Sequence, residues 1–449
     1  MRIDTLDFKV NKKREKNGCE LIIPFSITSD LGQIVFSAAE IDMKMISYFI
    51  GRVSAVATSF LYFAAIIYAI DRSVSRGKHS IDGWSREFDV TIKIPCHEIF
   101  DEQKKQQSKL LSFLTGDFWT LSFQATSPIG LAKYKNCDFF NDITQVNLFS
   151  GGLDSLIGAI DFMSQHPEKK VFLASHYDSK MSGPRTDQER LLQHFASMYK
   201  GQYAVFPQRN SVKITSLISE ETTCRSRSLI FIAIALQIAE YCNSKIVIPE
   251  NGTVSLNYPL SPSRRSSCST RTTHPVIIHQ LNNLFRSMGL STTVENPYEF
   301  MTKGEMVRNC FDLPYLLSIL SDSNSCGKRT RHQFFYDNKH ATHCGHCMPC
   351  MYRKASLVGF IDNTTYGNEL DSLYNHRRLQ LTDDFYAMLN FLKTNLTEED
   401  IKRELRIAKV NELPNFEQYV DLVIRTRSEL KALIVSDGSN ELKEYIGLL

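Results

Sequence analysis

Three observations predict an α/β fold built on a parallel sheet. Between residues 144 and about 310, short apolar runs alternate with longer helical periods. A glycine pair, in Ser150-Gly151-Gly152-Leu153-Asp154-Ser155, follows one such run and opens a helical one. Farther on, Cys344, Cys347 and Cys350 form a C-x-x-C-x-x-C run, with Cys326 eighteen residues upstream. Strand–helix–strand alternation puts helices on both faces of a parallel sheet. The glycine pair then falls at a strand end, and the cysteines fall after the last strand.

Residues 1–143 read as an α+β extension. Strand-like CELIIPFSI and REFDVTIKIP flank VSAVATSFLYFAAIIYAI, residues 53–70, which carries no charge. Eighteen residues is the lower limit for a membrane span, and Asp71, Arg72 and Arg76 follow at once, so a buried core helix is expected and no membrane. Trp84 and Trp119 both fall in this region and are expected as core anchors. The N-terminus lacks the apolar stretch of a signal peptide, and eleven cysteines then predict free thiols in a reducing, cytoplasmic setting. A formal charge of +3 on 449 residues does not favour bulk nucleic-acid binding.

Residues 144–360 hold the chemistry. QVNLF, KKVFLASHY, QYAVFP and SKIVIPENG read as strands, and SLIFIAIALQIAEYC as a long apolar helix. Residues 255–275, rich in Ser, Thr, Arg and Pro, read as a long mobile loop. Residues 361–449 are charged and amphipathic, a helical C-terminal region.

The turn Ser150–Ser155 has the ingredients of a phosphate cradle. The first amides of a helix are unpaired and sit at its positive dipole end. Gly151 and Gly152 let the main chain approach an anion with no Cβ in the way, and Ser150 and Ser155 add hydroxyl donors. Asp154 beside a phosphate makes sense if Mg²⁺ bridges the two. The Walker pattern and its lysine are missing, as is the dinucleotide G-x-G-x-x-G. The four cysteines can close a tetrahedral shell around Zn²⁺ over residues 326–350. An iron–sulfur cluster or free thiols are the alternatives, and His343 or His346 could replace Cys326 as the fourth ligand.

SGG-x-DS resembles the PP-loop of the ATP pyrophosphatases, which hold the pyrophosphate of ATP and transfer AMP. With a CG-x-C-x-x-C knuckle downstream, the chain resembles the QueC family of 7-cyano-7-deazaguanine synthases. Between the motifs, SRSLIFIAIALQIAEYCNSKIVIPENGTVSLNYPL follows the family's course, with Arg227-Ser228 in place of Arg-Asn. NPYEFMTKGEMV and MYRKASLVGF are similar to later family elements and place Lys303 and Glu305 near the site. Leu260-Ser261 after Tyr258-Pro259 departs from the family's Asp-Cys. The extra length, with YAIDRSVSR, GWSREFDV and FLTGDFW in order, resembles the longer QueC-like proteins of bacterial defence operons, the QatC type of the Qat anti-phage system.

The resemblance implies an adenine-nucleotide α-hydrolase-like core and an ATP-dependent ligase. A 7-deazaguanine-type carboxylic acid would be adenylated and joined to an amine, expected on the N-terminus of a partner protein from the same operon. ATP is expected on Ser150, Gly151, Gly152, Leu153, Asp154 and Ser155, with its adenine near Ser175, His176 and Tyr177. Asp154, Arg227 and Lys303 are the expected catalytic residues. Glu250, Asn251, Gly252 and Tyr258 are expected to hold the purine acid. Nitrile or amide formation with ammonia, adenylation of a tRNA base, and a non-catalytic nucleotide-binding scaffold stand as alternatives.

Overall fold

In the computed structural model, residues 1–12, 19–29, 32–42, 49, 51–127, 140–176, 183–206, 212–214, 221–261, 271–375 and 379–449 are described. The N-terminal strands β1 (Arg2–Thr5), β2 (Lys9–Lys12), β3 (Cys19–Thr28), β4 (Ile34–Asp42), β5 (Glu87–Ile94) and β6 (Phe118–Ala125) form a mixed sheet. A second sheet is wholly parallel. It contains β7 (Ile143–Leu148), β8 (Lys170–Ala174), β9 (Tyr203–Ala204), β11 (Lys245–Val247) and β12 (Val294–Glu295), in the order β12-β11-β7-β8-β9. Between β9 and β11 the chain lends β10 (Val212–Ile214) to the first sheet, antiparallel to β4. Strand β9 is shorter than QYAVFP suggested, because at the sheet edge it has only β8 to pair with.

The order of the parallel sheet fixes where a ligand can sit. From β7 the chain builds outward through β8 and β9 on one side, then returns to build β11 and β12 on the other. That reversal opens a crevice beyond the carboxyl ends of β7 and β11. The Ser150–Ser155 turn leaves β7 at this crevice, and Pro249-Glu250 leaves β11 there.

The apolar stretch at 53–70 forms helix α1 (Ala55–Ser73), started by Ser54, whose side chain accepts the Ala57 N–H. This helix is long and apolar enough to cross a membrane, but it is buried almost throughout. It packs on α4 (Arg227–Cys242), which is apolar on all sides because its other side covers the parallel sheet. One apolar cluster therefore runs from Ile3 through both helices to Val294. Trp119 is buried there as expected, whereas Trp84 is half-buried under the Arg225 guanidinium.

The opposite face of the parallel sheet is covered by α2 (Leu153–Gln165) and α3 (Pro184–Met198). A separate apolar cluster joins the cysteine segment to the C-terminal helices, among them Leu379–Lys393, Glu398–Ile407 and Phe416–Asp437. The segment read as a loop from 255 begins later. Ser255 and Leu256 close a short helix, Gly252–Leu256, because the Asn251 side chain accepts the Val254 N–H. Residues 262–270 lie outside the described residues.

Helix α2 reaches the crevice because Gly158 lets it close on Pro249. A Cβ at Gly158 would lie 2.3 Å from Pro249 Cβ. Gly158→Ala should therefore lower stability by about 1–3 kcal/mol, despite alanine's higher helix propensity. Urea unfolding checks this, and an unchanged or raised midpoint would rule out the close packing.

Candidate active site and cysteine cluster

Gly151 has φ +87°, which turns the chain sharply after Ser150. The three amides that follow point into the turn with only hydroxyls to bond. Gly151 N–H donates to Ser155 Oγ (3.2 Å), Gly152 N–H to Ser150 Oγ (3.3 Å) and Leu153 N–H to Ser325 Oγ (3.2 Å). Serine hydroxyls rotate freely, so an anion can replace them as acceptor and receive O–H bonds as well. Ser325 was missed by the sequence reading, although it stands next to Cys326. A Cβ at Gly151 would crowd Asp187 and Gln188, and Gln188 in turn donates to the Phe149 and Ser150 carbonyls.

A cavity of about 810 Å³ lies over this turn. Ser150 and Ser155 line it, with Pro249 and Glu250 after β11, Thr222–Cys224, Arg227 and Phe231 on one wall, and Asn324–Gly327 and Arg329 on another. Arg329 is paired with Asp187. Arg227 rests over the Phe231 ring at 5.3 Å, and its guanidinium has no carboxylate partner among the described residues. An arginine left uncompensated beside an amide cradle favours an anionic ligand.

The other expected residues divide. Lys303 and Asp154 form a buried ion pair at 2.5 Å, and Asn251 donates to the second Asp154 oxygen at 2.6 Å. The pair lies behind Glu250 and does not line the cavity. Both Asp154 oxygens are engaged, one by Lys303 and one by Asn251, so Asp154 itself has none free for Mg²⁺. Glu250 lines the cavity, and its carboxyl is pushed up to about 8 by burial and by the Asp154 charge, partly offset by Lys303. Gly252 lies behind the cavity against the Glu299 carbonyl. Tyr258 packs against Phe391 at 5.8 Å, away from the turn. His176 is fully buried between Tyr68 and Phe231, Ser175 is half-buried, and Tyr177 lies outside the described residues. Glu305 caps helix Lys303–Arg308 and pairs with Arg425, facing the C-terminal helices.

The Sγ atoms of Cys326, Cys344, Cys347 and Cys350 all lie within 4.8 Å of one another. A tetrahedral Zn²⁺ with Zn–S of about 2.3 Å needs sulfurs about 3.8 Å apart. Cys344 and Cys350 stand at 3.8 Å, and Cys347 and Cys350 at 3.4 Å. Backbone amides point at two of the sulfurs: Cys344 and Lys328 N–H at Cys326 Sγ, His346 and Cys347 N–H at Cys344 Sγ. Hydrogen bonds from Cys326, then Cys347 and Cys350, hold the Cys344 thiol far below its ordinary range. Thiolate-favouring amides and this spacing suit a structural zinc. The histidines stay outside the set: His343 stacks on Tyr366, and His346 Nδ1 contacts the Cys344 carbonyl and Asn368. The cluster is stitched to the phosphate turn, since Asn324 N–H donates to the Gly151 carbonyl at 3.0 Å and Ser325 holds Leu153.

A glycine–serine turn at the switch point of a parallel sheet, with a four-cysteine knuckle behind it, is similar to the PP-loop type of nucleotide-binding domain. Residues 144–361 match the family model described as queuosine biosynthesis protein QueC. This part of the chain is QueC-like, and enzymes of that family use ATP. No curated protein and no solved structure matches the chain.

Purified protein should carry about one zinc per chain, and Cys347→Ser should lose most of it, as elemental analysis reads directly. Zinc-free wild-type protein would sink this assignment. A second expectation concerns His274, beside the cavity-lining Thr273. Its Nδ1 accepts the Val276 N–H and starts helix Pro275–Ser287, and burial with the nearby Arg271 lowers its pKa to about 3. The folded state thus refuses a proton that the unfolded chain accepts below about pH 6.5. Stability should fall as pH drops from about 6.5 toward 3, and His274→Asn, which keeps a cap acceptor, should flatten that slope in thermal scans. An equal slope in both proteins would contradict it.

Proposed function

We propose that the protein is an ATP-dependent ligase that adenylates a 7-deazaguanine-type carboxylic acid and joins it to an amine, releasing AMP and pyrophosphate. The observation that carries this reading is the uncompensated Arg227 lining the same cavity as Ser150 and Ser155, the two serines that bracket the glycine turn. That cavity is near the upper end of small-molecule site volumes, which leaves space for a nucleotide and a second planar molecule.

In this reading the ATP phosphates replace the serine hydroxyls as acceptors of the Gly151, Gly152 and Leu153 amides. Any magnesium that accompanies ATP enters with it as part of the substrate. A carboxylate oxygen attacks the α-phosphorus, the bond to pyrophosphate breaks, and an acyl-adenylate forms. Arg227 stabilises the charge that builds on the phosphoryl oxygens. Asp154 and Lys303 act from behind, setting the floor on which Glu250 sits. An amine then attacks the acyl carbon, the C–N bond forms, AMP departs with the former carboxylate oxygen, and the amine loses its proton to solvent. The acceptor amine is assigned to the N-terminus of a partner protein in an anti-phage defence operon, on the strength of the sequence resemblance.

The test incubates the full chain with MgATP and 7-carboxy-7-deazaguanine, with and without proteins from neighbouring genes, and follows AMP, pyrophosphate and intact protein mass. AMP release dependent on the deazaguanine acid is expected. Arg227→Ala should lower kcat/KM by about 10²–10³-fold. AMP release with other carboxylates only would overturn the substrate, and incorporation of free ammonia would overturn the protein acceptor. No AMP under any combination would leave the ligase reading without support.

A further inference from the structure

Among the described residues none of 1–143 lines the cavity, yet that region holds the wall that does. Three N-terminal segments bring Asp71, Arg76, Arg86 and Asp117 into one buried network. Arg86 bonds Asp71 at 2.6 Å and Asp117 at 2.7 Å, and Arg76 bonds Asp117 at 2.7 Å. The network does not close on itself. The second Asp71 oxygen accepts both the backbone N–H (3.0 Å) and the hydroxyl (2.7 Å) of Ser226, the residue that starts helix α4 immediately before Arg227.

The same N-terminal region grips the preceding residues. Glu221 N–H donates to the Arg72 carbonyl, and its carboxylate accepts the Arg76 N–H at 2.8 Å and the Thr223 N–H at 2.9 Å. Arg225 donates to the Thr115 carbonyl at 2.8 Å. Between these anchors lie Thr222, Thr223 and Cys224, which face the cavity, and Cys224 adopts φ +49°. A non-glycine residue in the left-handed region persists only where its surroundings hold it.

We propose that Asp71, through Ser226, is a positioning residue for Arg227, and that the N-terminal region serves the cavity by fixing its 221–228 wall. Helix α4 begins at the arginine with Ser226 as its N-cap, so a shift of Ser226 moves the guanidinium directly. This rests on the reading of the cavity as the ATP site only for its kinetic arm.

Two measurements on the full chain test it. Ser226→Ala removes one hydrogen bond and leaves the buried ion pairs intact. In hydrogen exchange without ligand, amides 222–228 should exchange faster in Ser226→Ala and faster again in Asp71→Asn, with β7 and α2 unchanged. Unchanged exchange of 222–228 in both variants, or uniform acceleration along the chain, overturns the proposal. In steady-state kinetics Ser226→Ala should lower kcat/KM about fivefold, and Ser226→Thr should restore it. In an Arg227→Ala background the same change should cost less than about twofold, because the group being positioned is gone. An equal loss in both backgrounds overturns the link to Arg227. Should wild type release no AMP at all, the ligase reading fails, and hydrogen exchange alone decides whether Asp71 fixes the wall.

Discussion

An amide at the end of a buried strand must find an acceptor, and at the end of β7 three in succession have none from the backbone. Gly151, Gly152 and Leu153 open helix α2 and donate only to the hydroxyls of Ser155, Ser150 and Ser325. Their requirement organises the surroundings. Two acceptors come from the turn itself, but the third comes from residue 325, so the phosphate turn and the cysteine segment must fold against each other. Asn324 fixes the same junction from the other direction through the Gly151 carbonyl. A metal held by Cys326, Cys344, Cys347 and Cys350 would therefore set the position of one donor and one acceptor of the phosphate site as well as close a loop.

Local pattern was enough to read the parts of this arrangement that depend on adjacent residues. The β7 strand, the glycine turn, the apolar helices at 55–73 and 227–242 and the cysteine spacing each appear as runs or fixed offsets. What the pattern could not supply was partnership across long separations. Asp154 reads as a metal carboxylate beside glycines, but its charge is answered by Lys303, 149 residues away, and by Asn251. Tyr258 reads as a pocket aromatic, yet its neighbour is Phe391 from the C-terminal helices. Ser325 drew no reading at all, and Asp71 read only as the charge that follows the apolar run at 53–70. Each of these side chains has a partner more than a hundred residues away.

The N-terminal region shows the same principle at larger scale. Helices α1 and α4 are both apolar on every side, so neither can be exposed without the other. Their contact fuses the mixed sheet to the parallel sheet in one apolar cluster and brings Asp71 within reach of Ser226. Buried charges of this kind contribute little net stability against apolar replacements, although removing one partner costs about 3–5 kcal/mol. Their persistence is better explained by the fixed geometry they impose on the chain beside them.

The charge in the cavity closes the argument. Asp187 is neutralised by Arg329, and burial and the Asp154 charge push the Glu250 carboxyl up, toward its neutral form. Lys303 and Asp154 cancel behind it. Arg227 is left without a carboxylate partner among the described residues. A neutral or cationic ligand would leave that charge unanswered in a partly buried site, which is costly. On the proposed reading, a polyphosphate would answer it at the turn, and a carboxylate brought to the same arginine would lie close to the α-phosphorus. On that reading, the electrostatics that would admit the nucleotide would also hold the second substrate in position to attack it.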